Sequence, residues 1–198
     1  VTYTPDPVAP AFQSANITGA RYTSGSDYWV RSGDIVTVDI RHFDDQSGVR
    51  IQQVDLNDGP CNSWLDHYWD THVDYANYAP AGCNHVMFPA PTAQEIENAA
   101  GYTTTRFTAN ISPGIGDQDF LVQGRAWDYS SNDSGLNNSG KSVKVDDTNP
   151  VGSGLSPSGG TVSGTVPLSV VADDARSGVK DVTFYIGNAA CSGGWNLI

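Results

Sequence analysis

The chain has 198 residues and a formal net charge of -12, and charged residues make up only 16% of it. Because no cluster of lysine or arginine offsets this negative charge, contact with phosphate backbones is disfavoured and no nucleic-acid partner is expected. No apolar run approaches the roughly 18 residues of a membrane span, so membrane insertion is not expected either. Abundant Gly, Ser, Thr, Asn and Asp favour strands and turns over helices.

Alternating apolar and polar residues predict several short strands separated by turn residues. In chain order these strands are 35–40, 49–56, 104–108, 120–127 and 141–145. Short strands at this spacing are typical of a β-sandwich. Only the stretch 92–100 has helix signals, since Thr92 can cap a helix, Glu95 follows three residues later and Gly101 can end it. We therefore expect an all-β fold, in which this stretch is the one candidate for a helix.

An internal repeat divides the chain into modules. Residues 36–64 and 166–195 share one order of features: a strand, Asp-Asp, Ser-Gly-Val, a second strand, Cys and Trp. The two copies start about 130 residues apart, which sets the length of one module. We predict an N-terminal extension or linker at 1–13, a first module at 14–147 with an insertion at 57–101, and the start of a second module at 148–198. The second module is expected to be incomplete, because a sandwich needs roughly seven strands and about three remain.

Four motifs resemble one family of repeats when they are taken in order. They are Ala-Trp-Asp-Tyr-Ser-Ser-Asn at 126–132, Asp-Thr-Asn-Pro at 147–150, Gly-Gly-Thr-Val-Ser-Gly-Thr-Val at 159–166, and Ser-Gly-Val with the following strand at 177–186. Their order resembles bacterial immunoglobulin-like (Big-type) tandem repeats of secreted or surface proteins. The resemblance implies immunoglobulin-like β-sandwich modules with stalk, adhesin or accessory roles and no catalysis. Ser131 stands where these repeats usually have Gly, so that turn is expected to differ.

The predicted function is therefore that of a non-catalytic, extracellular structural or adhesive module, secreted or at the cell surface. Its partners would be neighbouring modules of the same chain or filament. No Gly-x-Ser-x-Gly motif supports a nucleophilic serine, and no histidine stands in a catalytic signature. The alternative function is a carbohydrate-binding accessory module of a secreted hydrolase, with a glycan or another surface ligand as its partner.

The insertion supplies the aromatic residues on which that alternative depends. Exposed aromatic side chains on a rigid loop can stack on sugar rings. The same side chains can instead form a small core within the loop. The candidates are Trp64, Tyr68, Trp69, Tyr75 and Tyr78.

The cysteines predict one disulfide. Cys61 and Cys83 lie 22 residues apart, and in an oxidising compartment they would pair and close the insertion. Such a bridge stabilises a domain by about 3 kcal/mol. Cys191 corresponds to Cys61 in the second copy and remains without a partner in the chain.

Clustered aspartates make calcium the one cofactor to consider. Calcium takes six to eight oxygen ligands from carboxylates and carbonyls. The candidate ligands near predicted strand ends or at the hinge are Asp44, Asp45, Asp128, Asp146 and Asp147. Aspartate is also common in turns that bind nothing, and no Asp-x-Asp-x-Asp-Gly loop is present. The histidines of the insertion, His67, His72 and His85, fit no recognised zinc spacing.

Overall fold

The computed structural model describes residues 6–59, 66–70, 73–76, 85–88, 93–187 and 195–197. All the regular secondary structure among these residues is β-strand, so the prediction of an all-β fold is confirmed. The chain forms two compact units, Val1–Asp147 and Thr148–Ile198.

Two sheets make up the first unit. Its strands are β1 (Ala11–Thr18), β2 (Tyr22–Ser24), β3 (Asp27–Val30), β4 (Ile35–Phe43), β5 (Val49–Asn57), β6 (Asp66–Asp70), β7 (Val73–Ala76), β8 (Val86–Met87), β9 (Ala93–Ala99), β10 (Tyr102–Ile111), β11 (Gln118–Asp128) and β12 (Asn137–Val145). The first sheet has the order β1-β4-β10-β8, and β9 also pairs with β10. The second sheet has the order β2-β3-β12-β11-β5-β6-β7. The β3–β12 pair is parallel, and the other described pairs of this unit are antiparallel.

A sandwich core lies between the two sheets. On β4 the alternate side chains of Val36, Val38 and Ile40 are buried, as the period of two in the sequence predicts. They belong to one apolar cluster with residues of the facing sheet, including Phe120 of β11. At Gly124 of β11 an added Cβ would lie 2.9 Å from Ile40, so a residue without a side chain allows close contact between the sheets here.

The stretch 92–100, the one candidate for a helix, instead forms a strand at Ala93–Ala99. β9 pairs antiparallel with β10, and Ala99 lies opposite Tyr102. The two residues between them, Ala100 and Gly101, have φ values of 52° and 82°, as a tight type I′ hairpin requires. The capping signals at the two ends of this stretch act only on the nearest residues. Pairing with β10 gives hydrogen-bond partners to backbone N–H and C=O groups along the whole strand. Thr92, the predicted cap, lies outside the described residues.

The first strand also begins earlier than the predicted module boundary. β1 starts at Ala11, within the segment 1–13 that the sequence assigns to an extension. Ala15 and Ile17 are buried in the core, and Phe12 packs against it. Because β1 contributes apolar side chains on alternate positions, it belongs to the sandwich.

The described residues of the second unit form two short antiparallel strand pairs. β13 (Val151–Ser156) pairs antiparallel with β14 (Ser169–Asp173). β15 (Tyr185–Gly187) pairs antiparallel with β16 (Trp195–Leu197).

Candidate metal centre

Strand directions bring three aspartates to one end of the first unit. The start of β1 lies opposite the end of β4, since Ala11 pairs with Phe43. The start of β5 lies opposite the end of β11. The residues before β1, the β4–β5 turn and the residues at the end of β11 therefore meet at the same end of the sandwich. We call this end, defined by Asp6, Asp44 and Asp128, the acidic pole.

Asp44 directly follows β4 and is held by the neighbouring backbone. Its N–H donates to the carbonyl of Gly101 at 2.8 Å, and its Oδ1 accepts from the N–H of Gln46 at 2.9 Å. The hairpin turn after β9 thus supports the turn after β4. A Cβ on Gly101 would lie 3.1 Å from the Asp44 carbonyl oxygen, so this packing requires glycine.

Asp128 is fully buried at the end of β11. Its two carboxylate oxygens accept from the backbone N–H and the side-chain amide of Asn132, each at 2.7 Å. Ser131 has a φ of 68°, the left-handed conformation that glycine readily adopts. The position where the sequence departs from the family pattern is therefore still left-handed.

Asp6 joins the pole from the segment that precedes β1. Its Oδ1 accepts from the N–H of Val8 at 2.8 Å, and its Oδ2 accepts from the N–H of Ser47 at 3.0 Å. These donors stabilise the charged form, and the Val8 hydrogen bond is the largest cause that lowers the pKa of Asp6. The Asn132 amide also donates to the Asp6 carbonyl at 2.7 Å, which ties this segment to the β11 end.

The three carboxylates converge on one point. Asp6, Asp44 and Asp128 are all buried, and each offers one oxygen within 4.8 Å of the others. At that distance Asp44 and Asp128 repel each other by about 3 kcal/mol, taking an effective dielectric constant of about 20. Within the described part of the chain, no lysine or arginine forms an ion pair with any of the three. The arrangement is chemically suited to a hard cation with oxygen ligands.

The other predicted calcium ligands lie elsewhere. Asp45 is exposed beside the pole and does not belong to the cluster. Val145 pairs with Gln118 at the start of β11, so Asp146 and Asp147 lie at the opposite end of the unit. There Asp147 accepts from the N–H of Ser32 at 2.9 Å and from its hydroxyl at 2.5 Å. The five candidate residues therefore form two groups, which lie at opposite ends of β11.

Asp6 is the member of this cluster that the sequence prediction missed. A signal was present, because Asp6 stands four residues before Pro10 just as Asp146 stands four residues before Pro150. The repeat at 36–64 and 166–195 does not include these positions. Asn132 and Ser47 were missed because only the folded chain shows that they contact the acidic residues.

The remaining candidates are only partly described. Trp69 is half-buried on β6 and packs against the core, which limits the area that it can offer to a sugar ring. The side chains of Trp64, Tyr68, Tyr75 and Tyr78 lie outside the described residues, as do Cys61, Cys83 and Cys191. The sugar site and the disulfide therefore stay predictions. His85 Nδ1 lies 2.6 Å from Oδ2 of Asp58, whereas His72 and the His67 side chain are also not described.

No family model matches the chain, and no curated protein matches it. Among the described residues no helix has the length and apolar character needed to cross a membrane.

Proposed function

We propose that the first unit is a non-catalytic, extracellular structural or adhesive immunoglobulin-like module of a larger surface or filamentous protein. The supporting observation is that the chain enters and leaves this unit at opposite ends. Asp6 precedes β1 at the acidic pole, and β12 ends at the opposite pole. Termini of a domain often lie close together. Termini at opposite poles let each module add its full length to an array.

A repeated turn supports a tandem arrangement with the second unit. Asp44 follows β4 and Asp174 follows β14, and each Oδ1 accepts from the backbone N–H two residues later, at 2.9 and 3.0 Å. A glycine closes each turn, with a φ of 80° at Gly48 and 79° at Gly178. The second unit thus repeats a local structure of the first as well as its sequence.

An uncovered apolar surface also fits a module of the same type. Apolar side chains of the second unit line an open groove of about 740 Å³. Val151 and Leu155, which line it from β13, are 67% and 54% exposed. In the first unit the facing sheet covers the apolar positions of β4. An apolar face of this kind is suited to packing against a second sheet, as in the first unit.

Force spectroscopy on the chain tests the load-bearing role. Attachment at positions 7 and 149 pulls the two poles apart and loads the β1–β4 hydrogen bonds together, in shear. Attachment at positions 7 and 45 pulls from one pole and breaks the same bonds one after another. We expect a clearly higher unfolding force in the first geometry, with the second as its matched control. Equal and low forces in both geometries would argue against a structural module.

A further inference from the structure

We propose that the acidic pole binds one Ca²⁺ ion through the carboxylates of Asp6, Asp44 and Asp128, and that the ion fixes the segment entering β1 to the sandwich. The inference concerns the first unit alone. It holds whether or not the unit is part of an extracellular array.

The spacing of the oxygens fits a single ion. Ca²⁺ binds oxygens at about 2.3–2.6 Å, so two oxygens on opposite sides of one ion lie at most about 5 Å apart. The three carboxylate oxygens of the pole lie within 4.8 Å of one another. One ion can therefore contact all three without a large movement of the backbone.

A buried carboxylate oxygen of Asp44 that accepts no hydrogen bond points to a bound cation. Asp44 is 7% exposed, and its Oδ2 is buried and accepts no hydrogen bond. Buried polar atoms are nearly always paired, and an unpaired buried charge is costly. An ion at the centre of the three carboxylates gives Asp44 Oδ2 the partner that the protein does not provide.

The carboxylates are already held in position as ligands. The N–H groups of Gln46, Val8 and Ser47 and the Asn132 amide orient them from behind. Three carboxylates on three separate segments favour Ca²⁺ over Mg²⁺, because Mg²⁺ usually keeps several waters and uses one or two carboxylates.

Asp6 gives the ion a structural consequence. Asp44 directly follows β4 of the first sheet, and Asp128 is the last residue of β11 in the second sheet. Of the three, only Asp6 lies on the segment before β1. Binding of the ion therefore joins this segment to both sheets. We expect calcium to protect residues 6–10 from hydrogen exchange and from proteolysis.

Calorimetric titration of the calcium-free chain with Ca²⁺ tests the site directly. The variants are Asp44→Asn and, as the matched control, Asp45→Asn, which removes the neighbouring exposed carboxylate. We expect Asp44→Asn to lose one equivalent of bound Ca²⁺ or to weaken its affinity at least about tenfold, while Asp45→Asn binds like the wild type. Equal binding by the wild type and Asp44→Asn, or no binding by the wild type, would overturn the proposal. A matching response to Mg²⁺ at equal concentration would overturn the assignment to Ca²⁺.

Thermal unfolding gives a second test, because the difference in melting temperature between variant and wild type should change sign when Ca²⁺ is added. In EDTA, Asp44→Asn should melt at a higher temperature than the wild type, because it removes one of three repelling charges. With excess Ca²⁺ the order should reverse, because only the wild type gains stability from the ion. Asp128→Asn should behave in the same way and serves if Asp44→Asn does not fold. An unchanged order in the two conditions would contradict the site.

Discussion

The buried imidazole of His42 should make the stability of the first unit depend on pH. His42 is fully buried on β4, and its ring stands edge-on to Phe12 with centroids 5.5 Å apart. Its Nδ1 lies 2.9 Å from Nε2 of Gln52, and its Nε2 has no hydrogen-bond partner. Burial disfavours the charged ring and lowers its pKa from 6.5 to about 4. The folded protein therefore keeps this histidine neutral.

The sign and size of the effect follow from proton linkage. Between pH 6.5 and about 4 the unfolded chain protonates His42 and the folded chain does not. The unfolded state binds more protons in this window, so the free energy of unfolding falls as the pH falls. The stabilisation is complete above pH 6.5 and is lost progressively toward pH 4. Between pH 7 and pH 5 the loss is about 2 kcal/mol.

Urea unfolding of the wild type and of His42→Leu at pH 7, 6 and 5 measures this term. Leucine cannot titrate, and every other titrating group is common to both proteins, so the difference between their pH profiles isolates His42. We expect the wild type to lose about 2 kcal/mol more than the variant between pH 7 and pH 5. Identical pH profiles, or an NMR titration of the His42 ring near pH 6.5 in the folded protein, would refute the reasoning.

Two further predictions concern the core and the turn that supports Asp44. Phe107→Ala, at a fully buried position, should lower the free energy of unfolding by about 3–5 kcal/mol. Ile96→Ala, at a side chain that is 43% exposed, should change it by about 0.5 kcal/mol or less. Similar losses for both variants would contradict the assigned core. Gly33 and Gly101 both have positive φ, but only at Gly101 would a Cβ meet other atoms, 2.9 Å from the Phe43 ring. Gly33→Ala should therefore lower the free energy of unfolding by about 1–2 kcal/mol, and Gly101→Ala should lower it by roughly 1–3 kcal/mol more. Chemical denaturation measures both losses. Equal losses would show that small shifts of the neighbouring atoms remove the Cβ contact at Gly101.

Local patterns in the sequence were enough to predict the strands that make the core. On β4 and β11 every second side chain is buried along nearly the whole strand. This period of two is a property of the extended backbone and needs no knowledge of the partners. The Asp-Asp turn after β4 was likewise visible in the sequence, because aspartate accepts hydrogen bonds from nearby backbone N–H groups in turns of this kind.

Pairing between distant segments decided the rest. The capping signals around Glu95 favour a helix over a few residues. The segment nevertheless lies beside β10, and the backbones of the two strands are hydrogen-bonded to each other. The five predicted calcium ligands looked equivalent along the chain. The antiparallel course of β11 and β12 places Asp128 at one pole and Asp147 at the other. Pairing of β1 with β4 brings Asp6 to the pole of Asp128. The acidic pole forms only when strand ends meet, because no single segment contains all three of its aspartates.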